Sequence, residues 1–304
     1  MLKITDEILR IVSDFTGSFK GAYNIRENGE CAGRQSTENI KITSKTDGPG
    51  LVVHVKPNTR DENVYIPACV THSDVDDLVY NDFYIGENAD VVIIAGCGVH
   101  TDGEGDARHN GIHRFFLERG AHVVYKEKHI GYGDGGAKRI DPVTEVFLKE
   151  DSVLEMDTIQ LGGVSSTIRK TSGTVGDRAR LVVRERIMTD GNETARTDFD
   201  VVLEGEDSGA DLISRSVAKG DSYQEFNSCI RGHNRCTGHS ECDAILADNG
   251  TVNASPSLEA SHVDAALIHE AAIGKIAGEQ LLKLQSLGLT AEEAEKKIIA
   301  GFLK

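Results

Sequence analysis

Tryptophan is absent from the 304 residues, and phenylalanine and tyrosine bring the aromatic share to only 5%. A groove that holds sugars between stacked rings is therefore poorly furnished. No run approaches the roughly 18 apolar residues that a membrane helix requires, and mean hydropathy is -0.29. Lys and Arg number 33 against 49 Asp and Glu, for a net charge of -16. No basic stripe exists to neutralise phosphates, which argues against nucleic acid and against anionic membrane surfaces as partners. The opening Met1-Leu2-Lys3-Ile4-Thr5-Asp6-Glu7 turns acidic at once and lacks the basic start and apolar run of a signal peptide. The chain is expected to be cytoplasmic, and its six cysteines to be thiols or metal ligands rather than bridges. Sequons at Asn192-Glu193-Thr194 and Asn253-Ala254-Ser255 then carry no meaning.

Nucleotide-binding and hydrolase signatures are missing as well. Gly131-Tyr132-Gly133-Asp134-Gly135-Gly136-Ala137-Lys138 has neither the spacing nor the Ser/Thr of a P-loop. His269-Glu270-Ala271-Ala272-Ile273 has no second histidine for a zinc protease, and there is no Gly-x-Ser-x-Gly.

Glycine, at 32 residues, is about a tenth of the chain against a usual roughly 7%. Turn dipeptides recur at Asn28-Gly29, Asp47-Gly48, Asp102-Gly103, Asp134-Gly135, Asp190-Gly191 and Asn249-Gly250, the punctuation of a β-rich chain. Of the five prolines none falls between Pro142 and Pro256, as central strands require. A small residue introducing an apolar run returns at Ala89, Ala121, Ser152, Ala179 and Ala210, and the series closes on Glu241 before Cys242, with intervals of 32, 31, 27, 31 and 31 residues. A second strand-like run falls in each period, at Val146-Phe147-Leu148, Thr167-Ile168-Arg169, Val201-Val202-Leu203 and residues 223–230. Two strands per repeat favour a β-helix over a β-sandwich with regular hairpins, which would give similar punctuation.

Three regions follow. Residues 1–84 read as a mixed N-terminal region with helix near Asp6 to Asp14, 85–260 as the repeated core, and 261–304 as a strand and helices. In the last region Leu281, Leu282, Leu284 and Leu287 share one helical face, and Ala294, Ile298, Ile299 and Phe302 another. Gly288 stops the first helix, and Thr290-x-x-Glu293 opens the second as a capping box.

Two segments could hold metal. Cys97, His100, Asp102, Asp106, His109 and His113 fall within 17 residues but match no standard zinc module, and a polar loop whose histidines satisfy backbone carbonyls is the favoured reading. Cys229, Cys236, His239 and Cys242 form a denser cluster, followed by His269 and Glu270. If 242–246 and 265–269 are both strands, Cys242 shares a face with Ala244 and Leu246, and His269 with Leu267. Neighbouring coils could then join Cys242 to His269. The alternative is a small buried thiol and a hydrogen-bonded core histidine.

Cys236-Thr-Gly-His-Ser-Glu-Cys242-Asp-Ala-Ile-Leu246, His269-Glu-Ala-Ala-Ile-Gly-Lys-Ile276 and Gly288-Leu-Thr-Ala-Glu-Glu-Ala294 resemble the SufB/SufD family of iron-sulfur cluster assembly scaffolds. So do Ser214-Arg-Ser216 and Tyr223-Gln-Glu-Phe226, and the likeness covers residues 85 to 304. The resemblance implies a mainly β chain, a right-handed parallel β-helix with a C-terminal helical segment. It implies a homodimer through the last strands, and a SufC-type ABC ATPase docked on the terminal helices. It implies a non-enzymatic role with a transient iron-sulfur cluster as cofactor, fed by a sulfur donor and passed to apo iron-sulfur proteins. Cys242, His269 and Glu270 take the family's cluster-site positions, with Cys229, Cys236 and His239 as further candidate ligands. Ile268 stands where SufB-type members carry an acid, and the long N-terminal region of larger relatives is missing, which suggests a reduced system with one protein in both roles. Rival readings are a β-helix carbohydrate-active enzyme and a structural SufD-like partner that binds no cluster.

Overall fold

The computed structural model describes residues 3–304; Met1 and Leu2, where the sequence reading began, lie outside the described residues. After helix α1 (Lys3–Ser13), β1 (Ala22–Glu27) and β2 (Glu30–Gln35) form one antiparallel hairpin, β3 (Ile40–Ser44) and β4 (Gly50–Val55) another. From there the chain alternates between two sheets. It passes through β5 (Arg60–Val70), β6 (Asp76–Ile85), β7 (Asp90–His100), β8 (Ala107–Leu117), β9 (His122–Tyr132), β10 (Lys138–Ile140) and β11 (Val143–Leu148). It continues through β12 (Val153–Leu161), β13 (Ser166–Val175), β14 (Arg180–Thr189), β15 (Thr194–Leu203), β16 (Ser208–Ala218), β17 (Tyr223–Gly232), β18 (Cys236–Leu246), β19 (Thr251–Ala260) and β20 (Ala265–Lys275). Helices α2 (Gly278–Ser286) and α3 (Ala291–Phe302) end it.

One sheet runs β2-β1-β5-β7-β9-β12-β14-β16-β18-β20, the other β19-β17-β15-β13-β10-β8-β6-β4-β3, with β11 between β13 and β8. Apart from the two hairpins every pairing is parallel, so the chain is a parallel β-helix of about eight turns. Parallel pairing reaches back to β1 and β4, so residues 22–84 are built into the same two sheets as the repeats that follow.

The repeated small residue marks one corner. Ala89, Ala121, Ser152, Ala179 and Ser208 are all 0% exposed, and each amide donates to the carbonyl three residues back. A larger side chain has no room there. The register corrects the sequence reading at this point. Ser208 and Cys236, not Ala210 and Glu241, continue the column, because Arg180 pairs with Gly209 and Gly209 with Thr237. The turn just before the corner takes a left-handed residue in every coil up to Ser208. Asn58, Asn88, Gly120, Asp151 and Asp207 supply it, and Arg178 adopts φ 53° held by ion pairs with Glu150 and Asp151.

The prolines sit where the ladder tolerates them. Pro256 lies on the edge strand β19, Pro67 where β1–β5 pairing is interrupted, and Pro142 at the break between β10 and β11. Helix α1 buries Ile8, Leu9 and Val12 on the outer face of the first sheet. It approaches closely because Gly98 has no side chain, and a Cβ there would meet Ile8 Cγ2 at 2.4 Å.

Filling the corner should be destabilising. Ala121→Leu should lower unfolding free energy by about 1–3 kcal/mol in urea titrations, the usual cost of overpacking. A loss below about half a kcal/mol would show that the corner has slack.

Candidate functional site

In strands whose side chains alternate, the inward positions of β18 are Cys236, Gly238, Ser240, Cys242 and Ala244. Those of β20 in register with them are Ala265, Leu267, His269, Ala271 and Ile273. Cys242 is 3% exposed, stacked between Ser214 on β16 and Ala271 on β20. Burial pushes its thiol up to about 12, aided by the negative charges of Glu185 and Asp243. His269 pairs with Ser240, so it shares the inner face with Cys242 but lies one pleat away. Strand spacing and rise put the two Cα atoms roughly 8 Å apart. No strand pairs with β20 on its far side, and His269 is exposed. Glu270 pairs with Glu241 on the outer face, where burial and the neighbouring Asp243 raise the Glu241 acid.

The remaining candidates separate. Cys236 points inward at the corner, about six residues or roughly 20 Å of strand from Cys242. Cys229 lies outward on the other sheet, between Asp200 and Ser257. His239 lies outward on the first sheet, its Nδ1 2.8 Å from Asp211 Oδ1. Among the described residues no three His, Cys, Asp or Glu side chains converge as a metal site. The chain thus presents Cys242 and His269 on a shared inner face beside an open edge, with Glu270 around that edge.

The Cys97 segment is likewise dispersed. Cys97 is buried in a small apolar cluster with Ala68, Val70, Val99, Ala107, Ile140 and Val164, and burial drives its thiol far up. His100 Nδ1 meets the Thr71 carbonyl at 3.1 Å, His109 Nδ1 meets Asp77 at 3.0 Å, and His113 Nδ1 meets the Tyr125 hydroxyl at 2.7 Å. Asp102 and Asp106 accept from the amides of Ser73 and Ala137. The glycine-rich run has a structural role. Lys138 Nζ, nearly buried, donates to the Gly133 carbonyl at 2.8 Å and lies 3.5 Å from that of Gly136, so the loop wraps its own ammonium.

A polar tier inside the solenoid was not anticipated from the sequence. Arg169 reaches across from β13, donating to Glu185 Oε2 at 2.9 Å and contacting His129 Nδ1 at 2.9 Å and Glu127 Oε2 at 3.6 Å. Glu185 also accepts from Thr197 at 2.9 Å and Ser214 at 3.1 Å. Glu185, Ser214 and Cys242 are successive register partners, so the tier ends beneath the terminal thiol. The signal was hidden because Lys126, Glu127, Lys128 and His129 are polar at every position, and alternation then gives no clue to which side faces in. Burial works against the Glu127 charge, but His129, Arg169 and His113 outweigh it and hold the carboxyl well below its usual range. Burial likewise lowers His113 to about 4 despite Glu127.

The family model for SUF system FeS cluster assembly, SufBD core domain, matches residues 80–302. An iron-sulfur cluster assembly SufBD family protein of Methanothermobacter thermautotrophicus is 32% identical over 265 residues, covering 84% of this chain and 62% of the relative. Another of Archaeoglobus fulgidus is 28% identical over 273 residues, 89% of this chain and 72% of the relative. One of Pyrococcus horikoshii is 26% identical over 206 residues, 65% and 60% respectively. The chain thus spans about 62% of the length of the first of these relatives.

The buried tier makes stability pH-dependent. His113 is held near 4 when folded and titrates near 6.5 when unfolded, so the unfolded chain takes the proton first. Its contribution is complete above about 6.5 and lost as pH falls toward about 4, by about 3 kcal/mol at most; the depressed Glu127 carboxyl acts in the same direction at lower pH. Urea titrations at about pH 7 and about pH 5 should show wild type losing more stability than His113→Gln. Equal losses would remove His113 from the account.

Proposed function

The chain belongs to the SufBD family of iron-sulfur cluster assembly proteins, and from that premise we propose that it is a non-enzymatic scaffold on which a cluster is built and handed on. The cluster is cargo here. Supporting this reading most directly is the placing of Cys242 and His269 on one inner face, on the last two strands of the first sheet, next to an edge that no strand covers. A thiolate and an imidazole suit iron, and the mixed set is more labile than four thiolates. The high resting position of the Cys242 thiol means that iron itself must displace its proton.

Two ligands are too few for a cluster. An uncovered parallel edge invites pairing, and pairing with the same edge of a second copy makes a two-fold dimer that duplicates Cys242, His269 and Glu270 around one axis. Sulfur would come from a donor protein, and apo iron-sulfur proteins would receive the product.

We further propose that a SufC-type ABC ATPase docks on the terminal helices. Helix α2 buries none of its residues, and Leu282 and Leu287 are 66% and 75% exposed. Helix α3 is better seated, through Ala294, Ile299 and a Lys219–Glu295 ion pair at 2.8 Å, and is started by the Thr290–Glu293 capping box. An amphipathic helix with an uncovered apolar stripe suits a groove on a partner. No helix among the described residues is long and apolar enough to cross a membrane.

Anaerobic reconstitution with iron and sulfide tests the site. Cys242→Ser should lose most bound iron with an unchanged circular dichroism spectrum, while Cys31→Ser and Cys69→Ser should retain it. Full iron content in Cys242→Ser would falsify the ligand assignment. For the partner, deleting residues 289–304 should abolish co-purification with a SufC-type ATPase while strand content persists. A folded truncation that still binds the ATPase would remove α3 from the docking surface.

A further inference from the structure

Among the described residues every arginine except Arg34 and Arg180 has a carboxylate oxygen within 4.0 Å. Arg34 is satisfied by Asn24 and Ser44 at 2.8 and 2.9 Å. Arg180 is different. It stands on the outer face of β14, in one row with Gly209 on β16, Thr237 on β18 and Ala266 on β20. Its side chain lies across the gap left by Gly209, where a Cβ would meet Arg180 Nη1 at 2.1 Å, and Nη1 donates to Thr237 Oγ1 at 3.2 Å. One of five guanidinium N–H groups is used, and the rest face solvent or the groove.

The adjoining row is Val182, Asp211, His239 and Ile268. Asp211 is turned to His239 at 2.8 Å, which fixes the plane of that ring. Between the rows runs a groove of about 430 Å³ with Val182, Ala266 and Ile268 among its walls. Ile268 is 57% exposed. The groove lies on the face opposite Cys242 and its chemistry is unrelated to that of the cluster site.

We propose that this groove binds a small organic carboxylate with an apolar body. A guanidinium lying over Gly209 with no carboxylate within 4.0 Å, on a chain whose other arginines are nearly all paired, is matched by a carboxylate in the two-pronged geometry that arginine favours. The Thr237 hydroxyl accepts from Arg180 and keeps its own proton to donate to the ligand. The aliphatic walls cover the ligand's apolar part. A phosphate dianion fits less well, because one guanidinium balances half its charge and the Asp211 carboxylate stands alongside.

Calorimetric titration of the full chain with octanoate, with inorganic phosphate as comparison, tests this, together with the Arg180 Nε–Hε resonance. Octanoate should bind saturably and shift that resonance, and phosphate should bind more weakly. Arg180→Met should weaken octanoate at least about tenfold, and so should Gly209→Ala, which keeps the charge but fills its bed. Arg34→Met should bind as wild type. Arg180→Met lies on the surface and stays informative should Gly209→Ala fail to fold. The proposal is overturned by absence of saturable octanoate binding, by binding retained in Arg180→Met, or by phosphate binding as tightly as octanoate.

Discussion

Parallel backbone pairing in register is the constraint from which the rest of this molecule follows. Each strand hydrogen-bonds to its equivalents in the coils before and after, so each side chain stacks on its counterpart about 4.8 Å away. A position that works once must therefore work in every coil. That is why small residues fill one corner from Ala89 to Ser208. It is also why rings pile into a ladder on the outer face, with His54, Tyr84, Phe116 and Phe147 at successive centroid spacings of 4.9 Å. Ionic pairs arise the same way, as in Asp82–Arg114, to which Lys45 adds its ammonium from the turn between β3 and β4.

The interior departs from the usual rule that such columns stay apolar. One column runs Ile66, Ala95, Glu127, Thr158, Glu185, Ser214, Cys242 and Ala271. Its charges are tolerated because Arg169 crosses from the opposite sheet to meet both carboxylates, with Thr197 and Ser214 donating to Glu185 Oε1 and the Tyr125 hydroxyl to Glu127 Oε1. A buried network of this kind costs desolvation for each charge, and its partners stand or fall together. The Thr158 hydroxyl, between the two carboxylates in the column, has no hydrogen-bond partner.

Much of the architecture was legible from the sequence because stacking imposes a period on residue size. The strands of the repeated core, the corner residues up to Ala179, a helix near the start, the capped helix α3 and the family follow from spacing and motif, whereas the strands before residue 85 do not. The reading slipped at Ala210, where Gly209 precedes it and Ser208 is as small, so three consecutive small residues blurred the phase. The cysteine cluster misled for the same reason that strands are strands. A period of two sends Cys236 and Cys242 inward but His239 outward on β18, while Cys229 sits on the opposite sheet. Closeness in sequence there means separation in space. The shared inner face of Cys242 and His269, in contrast, spans 27 residues and was accessible only by treating both segments as inward-alternating strands of adjacent coils, and the register sets His269 beside Ser240 rather than Cys242.

The end of the solenoid is where these rules relax. His269 occupies a column filled by Val64, Ile93, Tyr125, Met156, Val183 and Leu212 in earlier coils, with Ser240 as the step before it. Deeper in, an imidazole at that place would lose its water and demand a partner, as His113 and His129 do. At the last coil it keeps water on one side and costs little. Cys242 lies one strand further in, and the balance there is different. Two or more coils deeper, as for Cys97, a thiol is sealed in hydrocarbon and beyond the reach of iron. On β20 itself it would stand open to oxidants. The penultimate strand shields the thiol under Ala271 while leaving it one layer from the edge, so the place of the ligand proposed above is set by where the stacking stops.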